Sequence, residues 1–430
     1  MRVTLRYGET GLPLTLPDAW DVTVAVKPPM PLLADPEKTL QEALASPVAC
    51  PPLADLAKGK RSVCILICDI TRPVPNKPLL EGILRVLRGA GVPDAAVTIL
   101  VATGLHRPNE GEELLRLVGS RDILDSCRVE NHFASRTEDH VFLGETPGGV
   151  PVGIDRRFVE ADLRIVTGLV EPHFMAGFSG GRKVIAPGIC HESTIRTFHN
   201  ARIMGDAAAR NLNLRGNPLH EAQRHILALL SPVYAVNVVI DDERRPALVN
   251  FGEAEASHTE AVDFVRPYSG ITVSRLFSTI VTCAAGAPLD LNYYQTVKGL
   301  VGVKEALAPG GRIFIASSCR DGLGSAEFRR SQTVLCEQGV DAFLAAIARR
   351  EKADVDEWET QKLTEVLRLG SAVLYSPALS PEDRALTGIG HTNDLEGSVA
   401  QWVAARGDNR VLVVPEGPYI IPLGPDAERG

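Results

Sequence analysis

At 430 residues the chain is longer than one hydrophobic core usually supports, so two domains are expected. Its 45% apolar composition is that of a globular protein, and a net charge of −8 disfavours nucleic acid as the main partner, so any cationic site must be local. No apolar run approaches the roughly 20 residues of a membrane span, and residues 1–8 alternate like a strand instead of forming a signal peptide, which points to a soluble, cytoplasmic protein without a membrane partner.

Residues 1 to about 50 read as a β-ribbon (3–5 with 14–16), a Pro-rich connection and a helix near 39–46. Residues 62–68 are a continuous apolar, β-branched run of the kind buried on both faces of a parallel sheet, and a loop and a helix at 78–88 follow. The unit repeats with a strand at 96–103 and a helix at 110–118, and again with a strand at 162–167. The second half continues with strands at 278–283, 312–317, 371–375 and 410–414, and with helices from 293, at 340–350 and at 360–369. Alternation of this kind predicts an α/β fold of two domains, each a mostly parallel, doubly wound sheet with flanking helices. Pro267 and Gly270 interrupt the pattern, which places the boundary between a domain of residues 1–270 and one of 271–430.

In open α/β sheets ligands bind at the carboxyl ends of strands. The unusual polar residues fall there: Asp69-Ile-Thr71-Arg72-Pro, His106, the stretch from His173 to Lys183, and Tyr294-Gln295-x-x-Lys298. Loops from both halves can thus face one interdomain cleft. Asp69 and Thr71 suit a helix cap as well as an anion site, whereas Arg72 suits the forked grip of a carboxylate or phosphate. His106 and His173 at equivalent strand ends could flank a substrate and exchange acid and base roles. Gly177-Phe-Ser-Gly-Gly-Arg-Lys183 is not a phosphate loop, because Arg182 and Val184 stand where that motif needs Gly and Ser or Thr. Its glycines would let a bulky ligand approach the backbone, and Lys183 could be a nucleophile that links covalently to a cofactor, or a salt-bridge partner. His199, expected on a helix at 193–202, is a poor zinc site alone but could complete a coordination sphere supplied by an organic group. The eight cysteines contain no Cys-x-x-Cys pair and read as free, buried thiols.

At these residues the chain resembles the nickel-pincer lactate racemase family. The resemblance rests on Asp69-x-Thr-Arg72-Pro, Thr-Gly-x-His106-Arg, Glu-Pro-His173, Gly-Gly-Arg-Lys183, His199-Asn, Tyr294-Gln295-x-x-Lys298-Gly and Trp358, in order. It implies an isomerase that racemises or epimerises 2-hydroxy acids by reversible hydride transfer, through a 2-keto acid, to a nickel-pincer nucleotide. That cofactor is a pyridinium-3-thioamide-5-thiocarboxylic acid mononucleotide carrying nickel. Lys183 would hold it covalently, His199 would be the nickel ligand, and Asp69 and Thr71 would support the cofactor or Arg72. His106 and His173 would be the acid/base pair, and Arg72, Tyr294, Gln295, Lys298 and Trp358 would orient the substrate. The resemblance also implies cofactor maturation enzymes as partners and a small-molecule substrate, with a monocarboxylate expected because the motifs hold no further arginine. Two alternatives stand beside it: a metal-independent lyase or nucleotide-using enzyme built on the lysine and histidines, and a non-catalytic ligand-binding relative.

Overall fold

The computed structural model describes residues 1–425. The chain divides into two compact units that are not contiguous in sequence. One comprises Pro29–Phe198 with Leu214–Arg266, and the other Met1–Pro28, His199–Asn213 and Pro267–Gly430.

The first unit carries a six-stranded sheet in the order Pro246–Glu253, Tyr234–Ile240, Leu163–Leu169, Val63–Cys68, Val97–Ala102, Arg128–Asn131. All neighbours are parallel except the first pair. The central strand shows why its sequence is apolar without alternation. Val63, Ile65 and Ile67 point into a core with the Asn76–Gly89 helix, while Cys64 and Leu66 point into the opposite core with Phe158, Ile185 and Ile226. With both faces covered, no position along the strand tolerates a polar side chain.

The second unit holds a six-stranded sheet in the order Gly390–Thr392, Ser371–Tyr375, Leu307–Ala316, Phe277–Cys283, Arg410–Val414, Asp21–Val24. Every neighbouring pair is parallel. The N-terminal ribbon forms as expected, Arg2–Leu5 against Leu12–Thr15. The structure amends the contiguous division at residue 270: the first 28 residues pack with the C-terminal unit, because Val22 pairs with Val411 in its sheet. Residues 199–213 belong there too.

The expected strands and helices of both halves are present within a few residues of their predicted ends. The His140–Glu145 and Pro151–Asp155 hairpin and the helices Pro218–Leu230, Ala254–Val265, Ala326–Gln338 and Leu395–Arg406 are not among the elements expected from the sequence. No helix among the described residues is long and apolar enough to cross a membrane. The eight cysteines are free, and five of them are buried.

Candidate active site

In the first unit three adjacent parallel strands, Leu163–Leu169, Val63–Cys68 and Val97–Ala102, end on the same edge of the sheet. Each is followed directly by one of the polar motifs, so neighbouring strands deliver Asp69–Arg72, Thr103–His106 and Glu171–Lys183 side by side. Asp69 is the buried centre of this edge, only 5% exposed. Its Oδ1 accepts from the Thr71 amide at 3.1 Å and the Thr71 hydroxyl at 2.5 Å, and its Oδ2 lies 2.5 Å from His106 Nδ1. Burial alone would raise the Asp69 pKa, but the hydrogen bonds from His106 and Thr71 and the charges of His106 and Arg72 outweigh it and hold the carboxyl below its ordinary range. Asp69 therefore orients an imidazole, a role the sequence reading had not assigned to it. Only the spacing of two strand ends could have signalled it.

The His106 side chain is 60% exposed, and its loop is pinned where the Gly104 amide donates to Gly188 O at 2.9 Å. With Nδ1 turned to a carboxylate, Nδ1 carries the proton and Nε2 offers its lone pair outward. His173 is set differently. Its Nδ1 accepts from the Ala176 amide at 3.2 Å and the Met175 amide at 3.4 Å, so in the neutral ring the proton sits on Nε2. The two imidazoles are thus held by different partners, a carboxylate in one case and backbone amides in the other. Arg72 is partly exposed, and its guanidinium pairs with no carboxylate among the described residues. Cys68, at the end of the central strand, feels the charges of Asp69, Arg72, Lys183 and Glu171 together, although burial is what chiefly pushes its thiol up to about 11.

Lys183 lies half-buried on the short helix Gly181–Ile185, between the buried Arg182 and Val184. The glycines before it serve packing. A side chain on Gly180, which has φ +131°, would meet the His258 ring at 2.4 Å, and one on Gly181 would meet Val166 of the adjacent strand at 2.8 Å. Gly180 and Gly181 thus let the helix sit close on the sheet. Arg182, at the position that breaks the phosphate-loop pattern, is buried and donates to Gln223 at 3.1 Å and to His258.

In the second unit the central strand Phe277–Cys283 leads through a loop to the helix Tyr293–Gly302, capped by Asn292, whose side chain accepts from the Gln295 amide at 3.0 Å. Tyr294, Gln295 and Lys298 share its first turns, and Lys298 Nζ donates to Gln295 Oε1 at 2.6 Å. Trp358, from the helix Glu357–Leu369, donates to the Tyr294 hydroxyl at 3.3 Å and lies against His199 with ring centroids 4.6 Å apart and planes tilted by 33°. Five of the predicted residues therefore form one cluster. His199 is not within a helix as expected: the helix stops at Phe198, His199 occupies the turn, and Asn200 caps the next helix, Ala201–Met204. Among the described residues no group of three His, Cys, Asp or Glu side chains could hold a metal. A solitary imidazole braced by an indole fits a metal whose other donors come from an organic group.

Residues 7–211 match the family model described as the lactate racemase N-terminal domain, and residues 274–421 match the lactate racemase C-terminal domain. The chain is 31% identical over 386 residues to a lactate racemase of Lactiplantibacillus plantarum, covering 90% of each chain. It is also 31% identical over 392 residues to a lactate racemase of Thermoanaerobacterium thermosaccharolyticum, again covering 90% of each. The solved structure of the lactate racemase apoprotein from Thermoanaerobacterium thermosaccharolyticum superposes with a TM-score of 0.90 at 28% identity, covering 98% of this chain and 100% of that one.

Proposed function

The chain belongs to the lactate racemase family, whose curated relatives are isomerases, and on that premise we propose that it interconverts the enantiomers of lactate or of a larger aliphatic or aromatic 2-hydroxy monocarboxylate. The observation that best supports this reading is the Asp69–His106 pair at the mouth of the first sheet, beside the Arg72 cation.

Lys183 would hold a nickel-pincer nucleotide covalently, and the His199 imidazole would ligate its nickel; Asp69 and Thr71 would support the cofactor or Arg72, with Thr71 bonded to Asp69 and Asp69 to His106. When bound, that group supplies reversible acceptance of hydride from carbon 2 of the substrate. The residues of the chain then manage the proton and the carboxylate. His106 Nε2 takes the hydroxyl proton as hydride leaves, and the Asp69 carboxylate stabilises the imidazolium and fixes its ring. His173 presents Nε2–H toward a substrate oxygen. Service as the base for the opposite enantiomer requires it to release the two amides on Nδ1, which the long 3.2 and 3.4 Å contacts permit. Arg72, Lys298, Gln295 and Tyr294, the last backed by Trp358, are the groups that would bind the substrate carboxylate.

The test is expression alongside cofactor maturation enzymes, followed by chiral chromatography over a panel of 2-hydroxy acids and mass analysis of the peptide containing Lys183. Interconversion of at least one enantiomer pair is expected, with added mass on that lysine. A holo protein that racemises none of them would overturn the reading.

A further inference from the structure

Glu359 follows Trp358 on the helix Glu357–Leu369, and nothing in the racemase reading accounts for it. Its side chain is fully buried, and neither carboxyl oxygen has a hydrogen-bond partner among the described residues. Leucine or methionine would fill such a position at lower cost, so an unpartnered carboxyl there calls for an explanation.

The charges that bear on it are few. Asp356 and Lys362 come from its own helix, and Lys298 comes from the helix Tyr293–Gly302. Lys362 already donates to Ala209 O at 2.8 Å and to Glu365 at 2.6 Å, and Glu365 in turn also accepts from Lys304 at 2.6 Å. Asp356 accepts from the Ser325 hydroxyl at 2.5 Å. Lys298 donates to Gln295 at 2.6 Å from the helix that packs against that of Glu359, and of the nearby charges its pull on Glu359 is the strongest; it is also the ammonium assigned to the substrate carboxylate. Burial pushes the Glu359 carboxyl up to about 8, with Lys298 pulling it the other way, so at neutral pH it is a neutral acid.

We propose that Glu359 is a positioning residue for the substrate: protonated, it leaves the Lys298 ammonium to the substrate carboxylate, and ionised, it draws that ammonium onto itself. The inference rests on the reading that Lys298 contacts the substrate. Two carboxylates then compete for one ammonium, so substrate binding weakens as Glu359 loses its proton. By reciprocity, substrate binding above that pH takes up a proton. The hydride step involves neither group, so the change falls on KM and not on kcat.

The experiment uses the holoenzyme with lactate, or with the best substrate of the panel, between pH 6 and 10, with kcat and KM measured separately for the wild type, Glu359→Gln and Lys298→Met. Wild-type KM should climb above a pH of about 8 by up to about tenfold per pH unit, as one ionisation dictates, while kcat holds. Glu359→Gln should flatten that limb. A KM limb that survives in Glu359→Gln overturns the inference, provided Lys298→Met raises KM at pH 7. If Lys298→Met leaves KM unchanged, the substrate role of Lys298 itself fails. Infrared difference spectra of the wild type supply a measurement that needs no folded variant: a protonated carboxyl band should be present at pH 7 and bleach on alkaline titration, and its absence at pH 7 overturns the inference.

Discussion

Each unit places a buried carboxyl group beside a cationic or basic side chain, and the two are held in opposite states. Asp69 is surrounded by donors, two from Thr71 and one from His106, and these keep it ionised despite its burial. Glu359 is buried more completely and has no donor among the described residues, so desolvation wins and keeps it protonated. What decides the charge of these buried acids is whether hydrogen bonds and nearby opposite charges outweigh desolvation. One unit thereby owns a fixed negative charge that can stabilise an imidazolium, and the other an acid that stays out of the way of a lysine.

The comparison breaks most visibly at His106. Replacement by alanine removes the group that Asp69 orients and should lower kcat by about 10²- to 10⁴-fold, measured as racemisation of the holo protein. Cofactor loading, read from the mass on Lys183, should be unchanged. An unchanged rate would mean that the charged pair at the first sheet has no part in proton transfer.

Asp69→Asn tests the orienting charge itself. The amide can present its nitrogen to His106 and favour the wrong tautomer, so a loss of about 10- to 100-fold is expected, smaller than that of His106→Ala. A loss equal to that of His106→Ala would make Asp69 more than an orienting group.

The smallest effect is one of stability, and it sharpens the contrast. A carboxyl whose folded pKa lies above its unfolded value binds protons more tightly when folded, so stability declines as pH rises from the ordinary glutamate range toward about 8. Glu359→Gln carries no such penalty. Its melting temperature should match the wild type near pH 4.5 and exceed it by a few degrees at pH 8, by calorimetry at both values. Asp69 works with the opposite sign: its depressed pKa contributes stability above the ordinary aspartate pKa, which is lost as pH falls through the depressed value.

Much of the fold was legible because parallel strands buried on both faces have no choice but to be apolar, as the run from Val63 to Cys68 illustrates. The loops after them stood out because their polar residues interrupt such runs. What stayed hidden was whatever depends on a distant partner. The spacing of residues 69 and 106 says nothing of a bond between them, since adjacency of their strands is a property of the sheet. The Asp21–Val24 strand is too short and too mixed to announce its place beside Arg410–Val414. His199 fits a helical pattern on both sides, and only Asn200 acting as a cap ends one helix and begins the next. Glu359 sits in a helix rich in charged residues, where a glutamate ordinarily faces water; its neighbours from Glu357 to Thr364 are all buried, which no local periodicity predicts.

The pairing of Asp21–Val24 with Arg410–Val414 has a consequence for biosynthesis. The strand Asp21–Val24 must wait until Arg410–Val414 has been made before it finds its place, an interval of tens of seconds at about 5–20 residues per second. During that wait the unit of Pro29–Phe198 with Leu214–Arg266 has all of its segments in hand, while the other does not. The nascent chain therefore carries the unpaired strand Asp21–Val24 through a long stretch of elongation, and the second sheet closes that edge only after Arg410–Val414 has been made.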